Sequence, residues 1–218
     1  FDSMVSRSVP FYHEIQTMQA KLINSSLRNG DVVCDFGCST GTTIHYLLEA
    51  ANCPQDVHFI AYDNSPAMLE KARHKLSLAI EKRLVELICA DFSHLESIPA
   101  CRVAILNWTL QFIRPIDRQQ VLNNIYHALH PGGMLLLSEK ILSQDSQLNR
   151  LYIDYYLDFK STQGGYTDIE NQRKREALEN VLVPYRLDEN VALLKRAGFK
   201  HIDTYFQWFN FACLVAIK

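Results

Sequence analysis

Apolar positions along this chain follow two patterns that take turns. One is a step of three or four residues, and the other is a short continuous run. Ile15, Met18, Leu22 and Ile23 step along one side of a segment that predicts a helix from about Tyr12 to Leu27. The run Val32-Val33-Cys34 then predicts a strand at 31–36. The alternation continues with helix 42–51, strand 57–62, helix 66–82, strand 84–89, strand 101–106, helix 117–129 and strand 133–139. Ser65 before Pro66 is a helix start, with a hydroxyl N-cap followed by a proline whose N–H is not needed in the first turn. Pro131-Gly132-Gly133 reads as a turn that stops one element and feeds the next strand. Strands that alternate with helices imply an α/β fold, a parallel sheet with helices on both faces.

The last third has a different character. Residues 145–187 are polar, rich in tyrosine and helical in pattern, and they interrupt the succession. A helix at 188–197 follows, with Asp188 as cap and Gly198 as stop, and then strands at 200–208 and 210–217. So short a connection predicts an antiparallel hairpin on the sheet.

The candidate chemistry lies at the end of the first strand. Asp35-Phe36-Gly37-Cys38-Ser39-Thr40-Gly41 leads from strand into helix, and Ile60-Ala61-Tyr62-Asp63-Asn64 ends the second strand. Gly37 and Gly41 let backbone N–H groups approach a ligand, and Asp63 is placed to accept two ribose hydroxyls. The spacing differs from the dinucleotide fingerprint because Asp35 stands where the first glycine would be. A pyrophosphate would be repelled there, whereas a cationic amino-acid tail would be attracted, directly or through water. The residues therefore point to S-adenosylmethionine (SAM) over a nicotinamide or flavin dinucleotide. A glycine turn that merely joins strand to helix is the alternative, and the Asp63-Asn64 pair argues against it. The expected architecture is that of the class I SAM-dependent methyltransferases. It has a Rossmann-like, mostly parallel seven-stranded sheet, a C-terminal antiparallel hairpin, and 145–187 as a helical insertion on the substrate side.

Composition narrows the picture. With 218 residues and 48% hydrophobic content the chain predicts one substantial core and one domain over 1–218. A net charge of -2 argues against a general electrostatic grip on nucleic acid. Cysteines at 34, 38, 53, 89, 101 and 213 form no C-x-x-C pair and read as reduced thiols of a cytoplasmic protein. His127 and His130 read as the end of a surface helix, so no metal is expected. No apolar run has the length of a membrane span. The chain begins at Phe1, so an initial segment ahead of it is one expectation and the lack of a signal peptide carries little weight.

Seven motifs in order carry a narrower resemblance. They are Arg7-Ser8-Val9-Pro10-Phe11-Tyr12; Gly37-Cys38-Ser39; Asp63-Asn64-Ser65-Pro66-Ala67-Met68; Leu106-Asn107-Trp108-Thr109-Leu110-Gln111-Phe112; Leu137-Ser138-Glu139-Lys140; Arg175 ahead of Ala177-Leu178-Glu179-Asn180-Val181; and Phe206-Gln207-Trp208-Phe209-Asn210-Phe211. Together they resemble the carboxy-S-adenosyl-L-methionine synthase family from end to end. Departures include Trp108 in place of a more usual phenylalanine and tyrosines at 155 and 156 where histidines are common.

The resemblance implies that SAM is carboxylated at its methyl group, with prephenate as the source of carbon dioxide and phenylpyruvate released. It implies carboxy-SAM as product, a homodimer, and use of the product by a separate tRNA carboxymethyltransferase that makes the wobble-uridine 5-oxyacetic acid modification, without direct contact with nucleic acid. It implies that Gly37, Cys38 and Ser39 line the methionine portion and that Asp63 and Asn64 hold ribose and adenine. Asp91 with Phe92 would meet the adenine, Asn107 would face the sulfonium, and Tyr12 would close over the ligand. Arg175 is the most discriminating assignment. Its charge run, Gln172-Arg173-Lys174-Arg175-Glu176, otherwise reads as a solvated helix face, whereas a guanidinium suits the new carboxylate through two parallel hydrogen bonds. Tyr12, Tyr166 and Glu139 are unranked candidates for a general base, and Arg7 either binds a prephenate carboxylate or caps the first helix region. Two other readings share the SAM site: a conventional small-molecule methyltransferase, and a non-catalytic SAM-binding subunit of a tRNA-modifying complex.

Overall fold

The computed structural model describes residues 2–95, 97–178 and 181–218, with all their side chains except those of Asp168, Lys174 and Arg175. Its centre is a sheet of β1 (Val32–Phe36), β2 (His58–Asp63), β3 (Val85–Cys89), β4 (Cys101–Asn107), β5 (Leu129–Leu142), β7 (His201–Trp208) and β8 (Phe211–Ile217), in the order β3-β2-β1-β4-β5-β8-β7. The first five strands run parallel, and β8 is antiparallel to both β5 and β7. These are the seven strands and the hairpin that the sequence predicts. An eighth, two-residue strand β6 (Tyr185–Arg186) pairs with Ile141 and Leu142 at the end of β5.

Successive residues of a strand face opposite ways, so the sheet supports two cores. Cys34, Phe36, Ala104 and Leu106 join Leu122, Ile125 and Leu194 on one face, from α6 (Pro115–Ala128) and α9 (Leu187–Ala197). Val33, Val103 and Ile105 join Ile23, Ile44, Leu47 and Leu69 on the other, from α2 (Tyr12–Ser26), α3 (Thr42–Glu49) and α4 (Pro66–Lys75). A third cluster of Val9, Ile15, Phe211 and Cys213 sits at the carboxyl end of the sheet, with Tyr12, Trp108, Tyr156 and Trp208 packed against it.

Several boundaries differ from the sequence expectation for identifiable reasons. The helix expected over 66–82 stops at Lys75 and restarts as α5 (Ser77–Glu81). Leu76, between them, is buried against Gly41 so closely that a Cβ on that glycine would lie 2.6 Å from the leucine. Pro131-Gly132-Gly133 does not separate helix from strand but is an irregularity inside β5, where the register jumps from Cys101↔Leu129 to Val103↔Met134. The C-terminal residue stitches it to the sheet: Gly132 N–H donates to Lys218 O at 3.0 Å and Lys218 N–H donates to Gly133 O at 2.9 Å. In α9, Asp188 lies in the first turn, and Glu189 reaches back to accept the Arg186 N–H at 2.8 Å.

A helix that the sequence reading did not predict, α1 (Asp2–Ser8), precedes α2. The 145–187 segment contains α7 (Ser146–Thr162) and α8 (Asp168–Leu178). Asp145 caps α7 by accepting the Gln147 and Leu148 N–H groups, each at 2.9 Å. Arg7 ties these distant segments together by donating to Gly164 O and, at 2.9 Å, to Gly165 O, with its guanidinium 4.5 Å from the Tyr166 ring centroid. Ser8 and Tyr166 share a 2.8 Å hydroxyl contact beside it.

Candidate active site

A cavity of about 700 Å³ opens where β1 to β5 end, covered by α1, α2 and α7. Nine of the ten site residues expected from sequence stand on its wall: Tyr12, Gly37, Cys38, Ser39, Asp63, Asn64, Asp91, Phe92 and Asn107. The tenth, Arg175, belongs to α8, and its side chain lies outside the described residues. Leu178 and Leu182, just beyond it in sequence, line the cavity.

The turn after β1 is fixed by backbone bonds. Gly37 and Cys38 donate N–H groups to Tyr62 O at 2.8 and 2.9 Å, locking this loop to the neighbouring strand. Gly37 has φ +80°, and a Cβ there would lie 2.5 Å from Thr109 Oγ1, so a side chain is excluded both by conformation and by space. Ser39 takes the left-handed region too, at φ 51°, which aims its N–H at Asp63 Oδ2, 2.8 Å away. The other oxygen of Asp63 accepts the Ser65 N–H at 2.9 Å. Asp63 thus shapes two loops with one lone pair on each oxygen and keeps acceptor capacity for hydroxyl groups of a ligand.

Asp35 is buried at 2% exposure and is not on the cavity wall, so it does not reach a ligand directly from this position. Burial, reinforced by Asp63, pushes its carboxyl up to about 7. Burial, followed by Asp35 and Asp63, pushes the Cys38 thiol up as well, which keeps it neutral and makes it a wall rather than a nucleophile. Asp91 behaves oppositely: burial would raise it, but hydrogen bonds from Ser93 outweigh that and hold its carboxyl below the usual range. Those bonds come from Ser93 N–H at 3.0 Å and Ser93 Oγ at 2.6 Å. Phe92 packs on Phe36 with ring centroids 5.4 Å apart.

Asn107 ends β4 with its amide fully engaged. It donates to Gln19 Oε1 at 2.8 Å and to Thr43 Oγ1 at 3.0 Å, and accepts from Gln19 Nε2 at 2.7 Å. Gln19 Nε2 also approaches Ser138 Oγ at 2.9 Å and Tyr205 OH at 2.8 Å. This polar knot joins α2, α3, β4, β5 and β7 behind the cavity. Tyr12 lies over it, its ring 5.5 Å from that of Trp108, and burial pushes its hydroxyl up to about 12 despite the nearby Thr42 and Gln16 side chains. Trp108 holds φ 53°, and its N–H donates to Ser138 O at 2.7 Å.

The three general-base candidates part company here. Tyr12 lines the cavity, whereas Glu139 and Tyr166 do not. Glu139 is 2% exposed and raised to about 8 by burial, partly offset by Arg118 and by the N–H groups of Leu110, Gln111 and Thr109. Its carboxyl lies near the N–H groups of the loop after β4. Arg7 is likewise structural in this arrangement, engaged by carbonyls and off the cavity wall.

Sequence reasoning missed Gln16, Gln19, Lys140 and Tyr156. Lys140 and Tyr156 both line the cavity, with the ammonium 4.7 Å from the ring centroid. The two glutamines carried a readable signal, since they interrupt the apolar stripe of Ile15 and Ile23 on α2. Among the described residues, no group of three or more His, Cys, Asp or Glu could hold a metal ion, and no helix is long and apolar enough to cross a membrane.

A parallel sheet closed by an antiparallel hairpin, a glycine turn after β1 and an acidic residue at the end of β2 define a SAM-binding fold of the class I methyltransferases. A family model described as methyltransferase domain matches residues 33–133. Human N-acetylserotonin methyltransferase in complex with SAM has the same fold at a TM-score of 0.61 and 18% identity, over 94% of this chain and 53% of that one. Two whole-chain relatives narrow the class. The carboxy-S-adenosyl-L-methionine synthase of Desulfotalea psychrophila is 45% identical over 100% of this chain and 88% of its own length. The protein of that name from Methylococcus capsulatus is 43% identical over 100% of this chain and 89% of its own. The chain belongs to the carboxy-S-adenosyl-L-methionine synthase family.

Proposed function

We propose that the protein converts SAM and prephenate to carboxy-SAM and phenylpyruvate, and that carboxy-SAM then supplies the carboxymethyl group for wobble-uridine modification by a separate tRNA carboxymethyltransferase. The observation that carries this reading is the whole-chain identity to synthases of that name, in a chain whose expected SAM-contacting residues converge on one cavity. In this reading Asp63 and Asn64 take the ribose and adenine edge, and Asp91 and Phe92 take the adenine. Gly37, Cys38 and Ser39 pass the methionine chain, Asn107 faces the sulfonium, and Tyr12 closes the pocket.

The chemistry balances within that pocket. Loss of carbon dioxide from prephenate expels its ring hydroxyl as hydroxide, which removes a proton from the methyl carbon beside the sulfonium and becomes water. The carbanion so formed adds to the carbon dioxide, and the products are carboxy-SAM, phenylpyruvate and water. The protein's part is confinement and charge: a closed cavity keeps carbon dioxide beside the carbon it must meet, and Arg175 stabilises the carboxylate as it forms. Lys140, at the end of β5 and away from Asp63 and Asp91, brings positive charge suited to a carboxylate-bearing co-substrate.

A homodimer and a cytoplasmic location complete the proposal. The location draws on six free cysteines, four of them buried. The test is to incubate the purified protein with SAM and prephenate. Equal amounts of phenylpyruvate and carboxy-SAM are expected. Phenylpyruvate absent under all conditions, with methyl transfer to an added acceptor, would establish the conventional methyltransferase instead.

A further inference from the structure

Gln16 is 1% exposed and lines the cavity, yet among the described residues neither its Nε2 nor its Oε1 has a hydrogen-bond partner. The Tyr12 hydroxyl is near enough to feel the amide but does not meet it with hydrogen-bond geometry. A buried amide with both ends unused is an unfavourable arrangement for a folded chain, unless a ligand supplies the missing partners. The other amide on this face of α2, Gln19, is fully engaged by Asn107, Ser138 and Tyr205. Gln16 therefore differs from its neighbour in having been left for something else.

Its place in the sheet order says what. Asp91 follows β3, Asp63 ends β2, Gly37 to Ser39 follow β1, and Asn107 ends β4, and these strands lie side by side in that order. A ligand whose nucleoside half rests at the Asp91 and Asp63 end must carry its remaining chain past the glycine turn towards β4. Gln16 waits there, one helical turn from Tyr12 and one from Gln19, whose amide grips Asn107. An amide offers one acceptor and two donors. That pair of functions matches an α-amino acid, with the ammonium donating to Oε1 and the carboxylate accepting from Nε2.

We infer that Gln16 is a ligand-binding residue that reads the zwitterionic amino-acid end of the SAM-type substrate. This inference rests on the proposed SAM pocket and adds to it a residue outside the expected site. The experiment compares two probes on wild type and Gln16→Met, a near-isosteric variant without the amide. One is S-adenosylhomocysteine, which has the amino-acid end, and the other is 5′-methylthioadenosine, which lacks it.

Titration calorimetry should show S-adenosylhomocysteine binding to Gln16→Met about 10- to 100-fold more weakly than to wild type, with 5′-methylthioadenosine unchanged within twofold. The melting temperature of the unliganded variant should be equal or higher, because an unsatisfied buried amide has been removed. Gln16→Glu, which repels the carboxylate, should show the same selective loss. Equal weakening of both probes, or of neither, overturns the inference while leaving the SAM pocket standing. A wild-type protein that binds neither probe overturns both.

Discussion

The two ends of the cavity are built by different means. At the end proposed for the nucleoside the chain's own backbone does the work: Gly37 and Cys38 hang from Tyr62, and Asp63 ties Ser39 to Ser65, all within consecutive strands and turns. At the other end the surroundings of the cavity are held by long side chains from segments far apart in sequence. Arg7 reaches Gly164, Lys140 lies against Tyr156, and Gln19 joins Asn107, Ser138 and Tyr205. The first construction is set by local geometry. The second depends on individual side chains more than on backbone geometry, so it is where a carboxylating enzyme can diverge from a methyl-transferring one.

The sharpest way to break this contrast is Arg175→Ala. If the co-substrate end alone decides for the carboxylated ligand, carboxy-SAM binding falls about 100-fold or more while SAM binding stays within a few-fold, as measured by calorimetry. Equal loss of both would make Arg175 a structural residue. The counterpart at the nucleoside end is Gly37→Ala, where the φ of +80° and the 2.5 Å approach of Thr109 act together. Destabilisation of about 2–4 kcal/mol and loss of SAM binding are expected in thermal and calorimetric titrations. Adding Thr109→Ala should recover the steric part and leave the conformational part.

A smaller effect concerns the carboxyls behind the cavity. Asp35 and Glu139 ionise near 3.8 and 4.5 when unperturbed, but are raised in the fold to about 7 and about 8 by burial. The folded state therefore holds these protons more tightly than the unfolded chain. The stability they contribute is fully present below about pH 4 and is lost as pH rises through 7 to 8. Melting temperatures measured across that window should decline in the wild type and decline less in Asp35→Asn. An unchanged slope would mean that Asp35 is already ionised in the fold. The mildest change is Arg7→Ala, which removes the tie between α1 and the α7–α8 connection. A loss of about 1–2 kcal/mol in stability and a few-fold rise in the Kd for SAM are expected, with kcat nearly unchanged.

The same contrast explains what could be read from sequence. The seven strands, the hairpin and the glycine turn with Asp63 were legible because each depends on neighbours in the chain: a run of β-formers, a glycine after a strand, an acid at a strand's end; Asp91, Phe92, Asn107 and Tyr12 were reached only through the family resemblance. The break at Leu76 was not, since it depends on Gly41 arriving beside it through tertiary packing. Nor was the strand character of Pro131 to Gly133, where Gly132 and Gly133 bond to Lys218, more than eighty residues further on. Glu139 and Tyr166 read as possible bases because sequence shows what a side chain can do and not which way it faces. Gln16 and Gln19 were the reverse case, two polar residues on an apolar helical stripe whose meaning needed the cavity to become apparent.

Mass spectrometry of the small molecule released when the purified protein is denatured tests the central claim most directly. A species heavier than SAM by one carboxyl group is the predicted result, because only a pocket built for the carboxylated product would retain it through purification. Release of S-adenosylhomocysteine with no carboxylated species, from protein that also forms none when supplied with SAM and prephenate, would contradict the account and leave an ordinary methyltransferase in its place.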